Sequence, residues 1–90
     1  MNAPETNKEA DAALALAALG WLLGDNVRAG RLLAVTGLTP KDLRERLTDS
    51  ALLGAVLAFL EAHEPDLIAC ADAIGHPPPA LVAARQRLAA

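Results

Sequence analysis

Apolar residues are concentrated in two stretches of the chain, residues 12–24 and residues 51–60, and in both they lie all around a helix instead of along one stripe. A helix that is apolar on every face is typical of a segment surrounded by protein. Both stretches consist mainly of Ala and Leu, which rank highest in helix propensity. We therefore predict two central helices, over residues 7–23 and 50–63, that pack against each other.

Glycine and proline divide the rest of the chain into shorter helices. The clearest helix start is at Thr39, an N-cap residue followed by Pro40 at the first helical position. Gly37 and Gly75 are typical helix stops. Four short helices are predicted between these breakers: residues 27–36, 40–47, 65–74 and 79–88.

The sequence therefore predicts an all-α fold, a compact bundle of about six short helices. A chain of 90 residues has room for one modest hydrophobic core. We predict one helical domain over residues 7–90, preceded by a disordered N-terminus over residues 1–6, which is polar and contains Pro4.

The two halves of the chain are similar at an offset of 38 residues. This offset aligns Gly37 with Gly75 and Pro40 with Pro78, together with several Ala and Leu positions. Glycine and proline are rare here, so their alignment carries more weight than that of Ala and Leu. The hypothesis is a pair of pseudo-repeated three-helix units with the first and fourth helices at the centre.

The composition restricts how the core is built and what it can bind. Hydrophobic residues make up 53% of the chain but aromatic residues only 2%, so Trp21 and Phe59, aligned by the same offset, are the bulky side chains. Trp21 is expected in the core, but both Trp21 and Phe59 are candidate residues for contact with a partner. The net charge of −3 disfavours nucleic acid, because such binding depends on neutralising phosphates.

Groups that could perform chemistry are few. Cys70 lies between alanines and is interpreted as a small buried hydrophobe. The spacing of Cys70 with His63 and His76 matches no compact zinc pattern, so no metal is predicted. No phosphate-binding glycine loop is present, and no cofactor is predicted. We expect no enzymatic activity. A small active site at the acidic junction over residues 61–66 is the least favoured hypothesis.

Residues 31–47 are compatible with a helix-turn-helix, because Gly37 can form the turn before a second helix. Arg44 would face the nucleic acid, with Arg28 and Arg31 on the preceding helix. Acidic residues are interleaved with these bases, and the second helix is short. A DNA-binding protein is therefore the alternative hypothesis, and we expect no affinity for generic duplex DNA.

The uncharged run over residues 12–24 is shorter than the ~20 residues that a membrane-spanning helix needs. Acidic residues outnumber Lys8 before it, which disfavours a secretory signal. A single cysteine requires no oxidising compartment. We expect no membrane association and a cytoplasmic location.

The residue pattern also resembles a known family. Residues 36–40 read TGLTP, residues 57–64 read LAFLEAHE, and the first helix ends in Trp21 and Leu22. In these features the chain resembles the small bacterial family catalogued as domain of unknown function 3572. The resemblance implies a bacterial cytoplasmic protein and assigns no catalytic or binding residues. Members are often encoded near a single-domain response regulator, which implies a signalling or cell-cycle protein as partner.

The leading functional prediction is a protein-interaction or adaptor module that acts through an apolar patch. The short flanking helices cannot cover two all-apolar helices completely, so some apolar surface is expected to remain exposed. A twofold homodimer is the simplest way to cover such a patch. The large apolar side chains around the first helix are Leu14, Leu16, Leu19, Trp21, Leu22 and Leu23.

Overall fold

The structure, a computed structural model, describes residues 3–89, and side chains over residues 8–89. The described chain consists of six helices joined by short turns and contains no strand, which confirms the all-α prediction. The helices are α1 (Ala3–Leu23), α2 (Asn26–Thr36), α3 (Pro40–Glu45), α4 (Ser50–Glu61), α5 (Glu64–Ile74) and α6 (Pro78–Ala89).

The helix boundaries follow from capping residues in the sequence. Asp25 precedes α2, and its side chain accepts hydrogen bonds from the backbone N–H groups of Val27 and Arg28 at 2.8 and 3.1 Å. Thr39 and Asp42 form a reciprocal capping box at the start of α3. These backbone bonds stabilise the carboxylate form, so the pKa of both aspartates is lowered.

Glycine ends two of the helices. Gly37 and Gly75 follow α2 and α5 with φ of 77° and 79°, the left-handed conformation that other residues adopt at a cost. The third helix is shorter than predicted, because it ends at Glu45 and not at residue 47. The Arg46 side chain bonds to Asp49, the N-cap of α4, so the chain turns there into the next helix.

The core lies between α1, α4 and α6. Each of these three helices packs against the other two, and α5 contacts all three. The largest fully buried side chains are nearly all leucines, as the composition requires: Leu22, Leu32, Leu52, Leu53, Leu57, Leu60, Leu81, Val56 and Cys70.

The pseudo-repeat holds for the first two helices of each unit. The contact between α1 and α2 has its counterpart between α4 and α5, and that between α2 and α4 has its counterpart between α5 and α1. The third helices differ. Leu81, Ala84 and Leu88 of α6 are buried against the bundle, whereas α3 has no buried residue and contacts the core through the half-buried Leu43.

Residues 3–6 of the segment predicted to be disordered lie in α1, which begins earlier than the predicted start at residue 7. Residues 1–2 lie outside the described chain, so disorder there remains a prediction. Within residues 3–89, no single helix is both long and apolar enough to cross a bilayer. Two pairs of consecutive helices meet the length and composition test only when joined, and they are bent by 119° and 100°.

Substitution by alanine is expected to change the free energy of unfolding in opposite directions at two classes of glycine. A Cβ built on Gly20 or Gly30 meets no atom within 4 Å, and both lie inside helices. Gly20→Ala and Gly30→Ala should each raise the free energy of unfolding by about 0.5–1 kcal/mol. Gly37→Ala and Gly75→Ala should each lower it by about 1 kcal/mol or more, because φ is positive.

Urea denaturation followed by far-ultraviolet circular dichroism measures all four free energies. A loss of stability in Gly20→Ala, or a gain in Gly75→Ala, would contradict these helix and turn assignments.

Candidate interaction surface

Helix α1 has one buried face and one exposed face, although its sequence is apolar on both. Its buried positions lie three and four residues apart, and so do its exposed positions on the opposite side. The expectation that protein surrounds this helix is therefore wrong. We call the exposed set the α1 apolar face: Ala13, Leu16, Ala17, Gly20 and Leu23.

The α1 apolar face consists of two projecting leucines and the small residues beside them. Leu16 and Leu23 are 39% and 43% exposed and stand two turns apart, about 10 Å along the helix. Gly20 lies between them, and the space where its Cβ would be is empty. The side chains of Leu16 and Leu23 therefore project from the face on either side of a hollow at Gly20.

The surroundings of this face are uncharged over most of its length. No charged residue occurs between Asp11 and Asp25. Val27 is also exposed, but it lies in the first turn of α2, which is bent by 119° from α1. Side chains on one helix face at this spacing contact a second helix by placing ridges into grooves. The chemistry of the surface thus suits an apolar helix.

The two aromatic candidates lie elsewhere. Phe59 is buried in the core, so the structure places it inside the bundle and not on a binding surface. Trp21 is half-buried and packs against the core, as expected. The Arg28 guanidinium lies over the Trp21 ring, 3.9 Å from its centroid, which is a cation–π contact. Arg28 therefore supports the fold at the corner between α1 and α2.

The other basic candidates differ in their surroundings. Arg31 is paired with Asp66 of α5 at 2.6 Å. Arg46 is paired with both Asp42 and Asp49. Arg44 is exposed on α3, and no ion pair to it occurs within the described part of the chain.

These pairings bear on the helix-turn-helix hypothesis. The glycine turn is present between α2 and α3, but α3 has six residues, and Arg31 is already engaged within the fold. The cationic surface available to phosphates is thereby reduced. The DNA-binding hypothesis and the expected lack of affinity for duplex DNA both remain predictions.

A second surface lies between α4 and α6. It is an open groove of about 540 Å³, and its floor consists of small residues of α4, with Arg85 and Leu88 of α6 at its side. The floor residues are Ala51, Gly54, Ala55 and Ala58. Arg85 bonds to Glu61, so its charge is engaged beside the groove. Under the 38-residue offset this floor corresponds to the α1 apolar face, but Gly54 takes the place of Leu16.

The remaining reactive groups are distributed through the fold. Cys70 is buried, and burial raises the pKa of its thiol to about 11, which keeps it protonated. His63 is the N-cap residue of α5, but its side chain makes no capping bond and its Nδ1 is buried without a partner. His76 is exposed in the turn after Gly75.

The acidic junction is part of the scaffold. Glu61 bonds to Arg85 and Asp66 to Arg31, so two of its three carboxylates connect helices. Among residues 8–89, no group of three or more His, Cys, Asp or Glu side chains is placed to hold a metal ion.

The comparisons with known proteins give one match. A family model described as "Protein of unknown function (DUF3572)" matches residues 8–90, nearly the whole chain. Neither the curated proteins nor the solved structures contain a match.

Proposed function

We propose that this chain, which belongs to the protein family of unknown function DUF3572, is a small protein-interaction or adaptor module. The module acts through the α1 apolar face, which binds a helix of another protein chain. The observation that supports this most is the exposure of Leu16 and Leu23 on an uncharged face of α1.

The free energy of the proposed contact comes from burial of apolar surface. Each leucine that a partner covers contributes through the area removed from water, about 25 cal/mol per Å². Recognition of an apolar helix by another helix uses anchors spaced by about one or two turns. Leu16 and Leu23 have that spacing.

We further propose that the protein is not an enzyme and that it acts in the bacterial cytoplasm. Cys70 is held as a protonated, buried thiol, and the acidic junction is engaged in ion pairs. The proposed partner class, following the family resemblance, is a signalling or cell-cycle protein.

The test compares exposed leucines in two parts of the molecule. Leu16→Glu and Leu23→Glu introduce a carboxylate into the α1 apolar face. Leu47→Glu is the matched control, because Leu47 is 38% exposed but lies in the turn between α3 and α4. All three variants should keep the far-ultraviolet circular dichroism spectrum of the wild type.

The measurement is size-exclusion chromatography of the tagged full chain in extract of its native cells. The wild type and Leu47→Glu should elute in a larger complex. Leu16→Glu and Leu23→Glu should shift to the position of the tagged chain alone. A wild type that elutes alone, or a shift produced equally by Leu47→Glu, would contradict the proposal.

A further inference from the structure

We infer that, in the absence of that partner, the α1 apolar face binds a second copy of this chain, packed as an antiparallel pair of α1 helices about a twofold axis. This inference rests on the proposed function, since it uses the same face. Three parts of the contact define the pair: the register of large and small residues, the charges at the two ends, and the size of the face.

The first part is the register. In two antiparallel helices related by a twofold axis, the residue numbers of any two facing residues add up to the same value. An axis at the level of residue 18 along α1, on the exposed side of the helix, sets Leu16 opposite Gly20 of the second copy. The same axis sets Leu23 opposite Ala13 of the second copy. Both projecting leucines therefore meet a small residue, and the hollow at Gly20 receives a side chain.

The second part is the charge at the ends of the face. Glu9 is exposed one turn before Ala13 and extends the face toward the start of α1. A parallel pair would bring the Glu9 carboxylates of the two copies close together, and like charges repel. The antiparallel pair places these two carboxylates at opposite ends of the contact and also opposes the two helix dipoles. Charge thus selects the antiparallel orientation.

The third part is the size of the face. The row from Ala13 to Leu23 is about 15 Å long, and a helix is about 10 Å wide with its side chains. Stable dimers bury about 800 Å² per partner, more than one helix face of this length provides. The expected dimer is therefore reversible, with a dissociation constant in the micromolar range or weaker.

The first test is sedimentation equilibrium of the purified full chain from low to high micromolar concentration. The wild type should pass from 9.3 kDa toward twice that mass. Gly20→Leu fills the hollow and should raise the dissociation constant about tenfold or more. Gly20 is exposed and a Cβ there meets no atom within 4 Å in the single copy, so we expect the variant to remain folded.

The direction in which Gly20→Leu changes the dissociation constant distinguishes a dimer with a specific register from non-specific apolar association. This substitution adds apolar area to the face, so a non-specific apolar contact would become stronger. Stronger association of Gly20→Leu, or a wild type that remains at 9.3 kDa throughout, would overturn the inference.

The second test is a disulfide across the axis. Ala17 is the exposed position nearest the twofold axis, so Ala17→Cys should form a covalent dimer under mild oxidation. The control is Ala51→Cys, an exposed alanine on α4 that should remain monomeric. The native Cys70 is buried and does not compete. Covalent dimers from Ala51→Cys but not from Ala17→Cys would move the interface to α4 and overturn the inference.

The two proposals fail separately. If the purified chain is strictly monomeric while the complex in extract still depends on Leu16, the inference of a second copy is wrong and the proposed function is supported. If neither the purified chain nor the extract shows a complex that depends on Leu16, both proposals are contradicted.

Discussion

Leu22→Ala is expected to lower the free energy of unfolding by about 3–5 kcal/mol. Leu22 is fully buried in the core cluster, on the side of α1 that faces the bundle. Truncation leaves a cavity, and the closely packed α1 and α4 can close it only in part. A loss of this size is a large fraction of the stability of a small domain.

The matched control for this prediction is the next residue. Leu23 has the same side chain in the same helix but is 43% exposed, so Leu23→Ala should cost less than about 1 kcal/mol. Urea denaturation of the two variants and the wild type at low micromolar concentration measures the difference. Equal losses for Leu22→Ala and Leu23→Ala would contradict the assignment of buried and exposed faces on α1.

Arg87→Ala is expected to lower the midpoint of thermal unfolding by more than about 5 °C. Asp11 is 4% exposed, and Arg87 donates to both of its carboxylate oxygens at 2.8 Å. This bidentate pair joins α1 to α6, near the two ends of the chain. Without Arg87, the buried carboxylate loses its charged partner and its two hydrogen bonds.

The design that isolates this effect is a double substitution. Asp11→Ala together with Arg87→Ala removes the buried charge, so its midpoint should lie closer to that of the wild type than the midpoint of Arg87→Ala does. Arg85→Ala is the control, because its partner Glu61 is exposed and such pairs contribute little. A double variant less stable than Arg87→Ala would contradict this account of the pair.

Much of the fold could be predicted from local sequence. Thr39, Gly37 and Gly75 act within their own turns, so the boundaries that they set follow from neighbouring residues alone. The burial of Asp11 could not be predicted in this way, because its partner lies 76 residues away in sequence. The end of α3 at Glu45 was missed because it depends on the contact between Arg46 and Asp49.

The candidate surface could be predicted only in general terms. An exposed apolar patch was expected, but six large apolar side chains around the first helix gave no contrast between faces. The neighbours of α1 decide which of them are buried, and they leave Leu16 and Leu23 exposed. Trp21 and Phe59 attracted attention by their size, yet large side chains are often core residues. The sequence signal that could have identified this face is the set of small residues at positions 13, 17 and 20, beside Leu16 and Leu23.

The most direct test of the central claim, that the α1 apolar face is the binding surface, is a scan with a photo-crosslinking amino acid in native cells. The probe replaces one residue at a time at Leu16, Gly20 and Leu23 on the face, and at the exposed Leu47 and Gln86 elsewhere. The account predicts covalent adducts from the first three positions and few from the other two. Equal yields at all five positions, or adducts concentrated at Leu47 or Gln86, would contradict it.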